Sequence, residues 1–199
     1  MQQPQLHDVI RVMKSKKYKV FDNDNGYDLN IVGIRTLSDV SNKFDDWLTV
    51  FYRLNLDTWI FNAFPCTTDP GLYWLNNPMN KMGTAILMEG QYRNAFTIGR
   101  HHNKYTALVQ NTELSVIRDY DRDSELDYDS DRRESGWFGI NIHRSSAYRR
   151  SVNVDKWSAG CQVLADPIQF KMLIDLCKRS AQIFGNSFTY TLLNEKDFK

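Results

Sequence analysis

Short strand-like runs, each closed off by turn residues, are what most narrows the folds open to this chain. Residues 18–21 (Tyr-Lys-Val-Phe) read as strand and stop at Asp22-Asn23-Asp24-Asn25-Gly26, a dense turn signal. Residues 28–35 follow, carrying Leu29, Ile31 and Ile34. Residues 47–54 connect through Asn55-Leu56-Asp57 to residues 58–64, the spacing of a hairpin. Further strand-like runs cover residues 84–87, 95–98, 114–118, 138–143 and 187–193. Between them, residues 65–82 read as a long loop with Pro65, Pro70-Gly71 and Pro78 as breakers. Two helices frame the series. The spacing of Leu6, Val9, Ile10 and Met13 predicts an amphipathic helix over residues 5–17, and its basic end Lys14-Ser15-Lys16-Lys17 suits a helix C-terminus. At the other end Asp166 is an N-cap, Pro167 a first helical residue, and Gly185 a stop. Phe170, Leu173, Ile174, Cys177, Ala181 and Phe184 form one apolar face between them. Many strands and two helices predict a mainly β domain, a barrel or a sandwich. The chain of 199 residues fits a single domain, with residues 1–17 as a possible helical extension.

Within that frame, one stretch carries chemistry: Lys156-Trp157-Ser158-Ala159-Gly160-Cys161-Gln162-Val163-Leu164, read with His143 upstream. Gly160 allows a tight turn and a close approach of substrate to the backbone. Val163 and Leu164 read as a short buried strand that holds the thiol in place. His143 ends the alternating run Phe138-Gly139-Ile140-Asn141-Ile142-His143, so thiol and imidazole are expected at strand ends on one rim. Such a pair is the minimum for covalent acyl transfer. Cys177 sits on the apolar helix face and is assigned packing; Cys66 stands in a turn context and stays ambiguous.

His143, the residues Arg144 to Trp157, and then Ser158-Ala159-Gly160-Cys161 resemble the signature of the L,D-transpeptidase (YkuD-like) catalytic domain. In that family a histidine precedes Ser/Thr-His-Gly-Cys by a gap of about this length. Two positions depart from it: Ala159 stands where the family has a second histidine, and Val163 where it has Arg or Asn. The pattern is that of a divergent, phage-type member. The resemblance implies a β fold, Cys161 as nucleophile and His143 as base, with a backbone carbonyl orienting the imidazole. It also implies a peptidoglycan stem peptide as substrate, cut after a diaminopimelate-like residue through a thioester.

From the residues themselves, the backbone N–H groups of Gly160 and Cys161 are the expected oxyanion donors, and Ser158 orders the turn or holds the imidazole. Arg144, Arg149 and Arg150, in the loop between His143 and Cys161, are candidates to clamp a substrate carboxylate. Tyr148 and Trp157 are candidates to stack on substrate.

Other patterns lead elsewhere. The acidic run from Asp119 to Asp131 fails the calcium-loop frame. Started at Asp119, positions six and twelve are Ser124 and Ser130; started at Asp121, they are Leu126 and Arg132. It reads as a solvated loop. Arg100-His101-His102 lacks a third ligand, because neighbouring residues on a strand point apart, so no metal ligand set and no cofactor are expected. Three cysteines give neither a disulfide framework nor a zinc site. A formal net charge of +1 supplies no basic field for nucleic acid. No signal-like segment and no membrane span are read, so the expectation is synthesis in the cytoplasm and action on the wall after lysis or virion delivery.

These readings predict cysteine-dependent acyl transfer on stem peptides, with hydrolysis favoured over cross-linking. The alternative is an inactive wall-binding or virion structural module with the same fold.

Overall fold

The computed structural model describes all residues 1–199. Eleven strands, three α-helices and a closing 3-10 turn make up the chain. In order these are α1 (Leu6–Ser15), β1 (Asn30–Arg35), β2 (Asp46–Arg53), β3 (Trp59–Thr67), α2 (Leu72–Asn76), β4 (Thr84–Leu87) and β5 (Gly90–His101). There follow β6 (Tyr105–Gln110), β7 (Leu114–Asp119), β8 (Arg133–Gly136), β9 (Ile142–Arg144), β10 (Gln162–Leu164), α3 (Pro167–Phe184) and β11 (Phe188–Asn194). Eight strands close into a barrel in the order β1-β11-β5-β6-β9-β10-β3-β2, and β4-β7-β8 form a separate small sheet. Only the β1–β11 and β9–β10 pairs are parallel. The protein is mainly β, as its pattern of short runs requires.

Alternation decides which side chains fill the barrel. In β1 and β2, Ile31, Leu48, Val50 and Tyr52 join the main core. Val32, Ile34 and Phe51 point the other way, into a second cluster with Val9, Val12 and Met13 of α1. The N-terminal helix is therefore not an appendage. It covers the outer wall of the barrel, and three fully buried side chains contribute roughly 1.5–3 kcal/mol each. Because β1 is covered on both faces, all six of its residues are buried. Helix α3 starts where Asp166 accepts the N–H of Ile168 and ends at Gly185 (φ +88°). Its buried face, including Phe170, Leu173 and Cys177, packs into the main core with Leu108, Ile142 and Leu164.

Several local expectations change. Residues 18–21 form no strand. Their backbone is paired by side-chain amides instead, Gln91 bonding Lys19 and Asn30 bonding Phe21. Strand β3 runs through Pro65 to Thr67, since the Pro65 carbonyl still accepts the N–H of Ala165, and Cys66 is a buried strand residue rather than a turn residue. β5 is twelve residues long, β6 (Tyr105–Gln110) is a further strand, and β8 is a strand whose polar sequence, Arg-Glu-Ser-Gly, concealed it.

A buried ionic network lies between the barrel and the cysteine turn. Arg35 Nε is 2.9 Å from Asp69 Oδ1. Asp46 accepts the N–H groups of Thr36 and Thr68 and the Thr68 hydroxyl, at 2.7–2.8 Å. Arg35 also donates to the Thr68 carbonyl, and Tyr128 donates to Asp69. One guanidinium faces two carboxylates. Burial and the charge on Asp69 accordingly push Asp46 up to about 7.

Candidate active site

His143 lies in β9, and Cys161 immediately precedes the neighbouring β10. The parallel register of the two strands sets Gln162 beside Ile142 and Val163 beside His143. Side chains alternate along each strand, so Cys161, two residues before Val163, shares a face with His143. Gln162 and Leu164 take the opposite face. There Gln162 Oε1 accepts the Tyr190 hydroxyl at 2.7 Å, and Nε2 donates to the Thr68 carbonyl at 3.2 Å. Gly33 makes this clamp possible, because a Cβ there would lie 1.9 Å from the Tyr190 hydroxyl. The clamp ties the cysteine strand to the barrel interior and, through Thr68, to the Arg35 network.

The turn before Cys161 is built by Ser158, whose hydroxyl accepts the Gly160 N–H at 3.1 Å and donates to the Cys161 carbonyl at 2.8 Å. Of its two expected roles, Ser158 performs the ordering of the turn. Gly160 is required here: its φ is +119°, and a Cβ would sit 2.4 Å from the Ala85 carbonyl oxygen. The expectation that Gly160 N–H serves as an oxyanion donor is corrected, since Ser158 already occupies it. The N–H of Cys161 donates to no group of the chain and remains open.

His143 is 3% exposed. Its Nδ1 lies 2.8 Å from the Arg144 carbonyl, which makes Nδ1 the protonated nitrogen and leaves Nε2 with its lone pair. The Tyr105 hydroxyl lies 3.3 Å from the same Nδ1 and donates to the Arg144 carbonyl at 3.2 Å. The ring stacks on His101 (centroids 4.1 Å apart, planes 20° apart). His101 in turn is held through Nδ1 by the Asn141 side-chain amide at 3.0 Å. Burial, then the neighbouring His101, lower His143 to about 3; burial, then His102, lower His101 to about 4. Both rings are neutral at physiological pH.

The half-buried Cys161 thiol has backbone partners: it accepts the Asn141 N–H (Sγ at 3.4 Å) and donates to the Gly139 carbonyl at 3.7 Å. No hydrogen bond joins it to an imidazole; burial raises the nearby Tyr105 phenol to about 12, against the pull of Arg144 and with a smaller push from Cys161. Burial pushes the thiol up to about 11, while the Asn141 N–H pulls it down. The resting pair is thus thiol and neutral imidazole rather than thiolate and imidazolium. Iodoacetamide should alkylate Cys161 roughly tenfold faster per pH unit from about pH 7 to about pH 10, still climbing at the end. A plateau reached by about pH 8 would contradict this. Cys66 and Cys177, both fully buried, should stay unlabelled.

The other candidates divide. Arg144 belongs to the site through its carbonyl, while its guanidinium lies over the Tyr105 ring (4.1 Å). Tyr148, 95% exposed, and Arg149 and Arg150 make no side-chain hydrogen bond or ion pair, so nothing holds them toward the thiol. Trp157 lines a separate hollow with Tyr73, Asn77 and Lys156. A cleft of about 280 Å³ flanks the cysteine turn, lined by Ala159, Ala85, Phe138, Trp74, Trp137 and Arg118 among others. Sequence reasoning missed Tyr105 and Gln162 and gave Asn141 no role. It placed His101 and His102 on opposite strand faces. The strand ends at His101, and His102 adopts φ +48° in the turn, so the two rings meet at 4.1 Å. The nearest signal was the position of Asn141, two residues before His143.

Fold and site together define a closed β-barrel with a carbonyl-oriented histidine on one strand and a cysteine in the turn that leads into the adjacent parallel strand. The sequence matches no protein-family model and no curated protein. No helix is long and apolar enough to cross a membrane.

Proposed function

We propose that this protein is a cysteine-dependent acyl-transfer enzyme that hydrolyses peptidoglycan stem peptides through a thioester, an L,D-transpeptidase-like reaction ending in water. The observation that carries the reading is the His143 Nδ1–Arg144 carbonyl bond. It fixes the tautomer with an unprotonated Nε2 on the sheet face that also bears Cys161.

Substrate entering the cleft beside Ala159 displaces the thiol from Gly139. Sulfur attacks the peptide carbonyl carbon as its proton passes to His143 Nε2, and the oxyanion is met by the Cys161 N–H. The C–N bond breaks, the imidazolium gives its proton to the departing amine, and a thioester remains. Water then attacks and passes a proton to His143, the C–S bond breaks, and the thiol regains that proton. Hydrolysis is favoured over transfer because Val163, fully buried between Thr67 and His143, offers no polar group to hold an acceptor amine.

Incubating the protein with purified muropeptides and reading products by mass spectrometry tests this. Shortened stems, absent with Cys161→Ala, are expected. Cross-linked dimers without shortened stems would overturn the hydrolytic outcome. Wall binding unchanged by Cys161→Ala with no product at all would favour a binding module.

A further inference from the structure

The loop after β7 holds a second cluster, independent of the cysteine. Asp119, Asp121 and Asp127 each bring a carboxylate oxygen to within 4.8 Å of the others, the spread that oxygens around one calcium-sized ion adopt. Asp119 is 1% exposed. Its Oδ2 accepts the Asp127 N–H at 3.2 Å, and its Oδ1 has no hydrogen-bond partner at all. A buried carboxylate oxygen left bare is costly, and here it belongs to a group that faces two further carboxylates. Asp127 is half-buried and Asp121 exposed, so the cluster is closed on the barrel side and open to solvent on the other. An ion can enter there and keep several waters.

We propose that Asp119, Asp121 and Asp127 form a divalent-cation site of calcium type. The spacing differs from the twelve-residue helical-hairpin loop: the first ligand ends a strand, the second stands two residues on, and the third returns six residues after that. Hard oxygen donors alone, without histidine or cysteine, select calcium over zinc. The ion stabilises the loop that the chain already pins at its far side, where Leu126 N–H donates to the Asp39 carbonyl and the Ser41 hydroxyl to that of Ser124. The same loop carries Tyr128 to Asp69 in the ionic network. Binding therefore raises the stability of the barrel end and not merely of the loop.

The test is calorimetric titration of the chelator-treated protein with calcium chloride, and separately with magnesium chloride, alongside thermal melting. One calcium per chain is expected, with a dissociation constant on the order of 10⁻⁵–10⁻³ M and a raised Tm. Asp119→Asn and the exposed Asp121→Asn should each weaken binding about tenfold or more, whereas Asp131→Asn should leave it unchanged. Asp121→Asn keeps the test decisive should the buried variant fold poorly. Absence of heat and of any Tm shift at about 10 mM calcium, tighter binding of magnesium than of calcium, or an equal loss in Asp131→Asn would overturn the site.

Discussion

Replacing His143 by asparagine is expected to lower kcat/KM on stem-peptide substrates by about 10²–10⁴-fold with the barrel intact. Asparagine keeps a donor for the Arg144 carbonyl but has no lone pair to take the thiol proton. Alanine would remove the same base and leave a cavity beside the His101 ring, so the two variants should share the kinetic defect and differ in Tm. The pH profile gives a second reading. The proposed base, His143, works only when neutral, and burial, then His101, lowers its pKa to about 3. As pH falls from about 7 to about 5, an ordinary imidazole near 6.5 would be mostly protonated and the rate would drop. Here His143 stays neutral across that interval, so no acid limb near 6.5 should appear. An inflection at that pH in the parent, lost in His143→Asn, would mean a solvated ring. Undiminished turnover in His143→Asn would remove the histidine from the mechanism altogether.

The largest loss of stability should come from Arg35→Met, at about 3–5 kcal/mol in urea denaturation at about pH 8. Arg35 is 2% exposed and is the only cation paired with Asp69. Methionine preserves most of the packing but leaves Asp46 and Asp69 buried without a counter-charge. The pH dependence follows from the direction of their shifts. Both carboxyls are already raised in the folded chain, Asp46 to about 7, by burial first. A group raised on folding holds its proton more firmly folded than unfolded. Its stabilising contribution is complete below the unfolded value near 4 and disappears as pH rises through the folded value. Removing Arg35 raises both further. The deficit of Arg35→Met should therefore shrink at about pH 5 and widen at about pH 8. A penalty below about 1 kcal/mol, or one that grows toward low pH, would show that the network is solvated rather than sealed.

The two experiments probe one connected body. Arg35 bonds the Thr68 carbonyl, Gln162 bonds the same oxygen, and Gln162 directly follows Cys161. Of this chain of contacts, the sequence displays the residues but not their meeting. Gln162 is a polar residue in an apolar run, and nothing along the chain marks it as buried. Its partner Tyr190 is 28 positions away, on a strand that lies across the barrel. The same holds for Tyr105, 38 positions before the imidazole it touches. By contrast His143 and Cys161 stood out because turn, glycine and alternating run surround them locally. The loop arginines and aromatics were placed near the thiol only on the strength of lying between those two residues. A loop tied down at Ser145, Ser151 and Val154 spends the interval in solvent instead.

Local periodicity by itself determined that this chain is mainly β, where its C-terminal helix begins and ends, and which cysteine sits at a glycine turn. Those features depend on neighbours within a few residues, where backbone sterics and side-chain alternation act. Tertiary structure alone decided that β9 and β10 run parallel with His143 and Cys161 on one face. It also decided that the imidazole is neutral and carbonyl-oriented, and that one buried arginine faces two carboxylates. Strand register and burial are set by contacts between distant segments, and the protonation of a buried group follows from both.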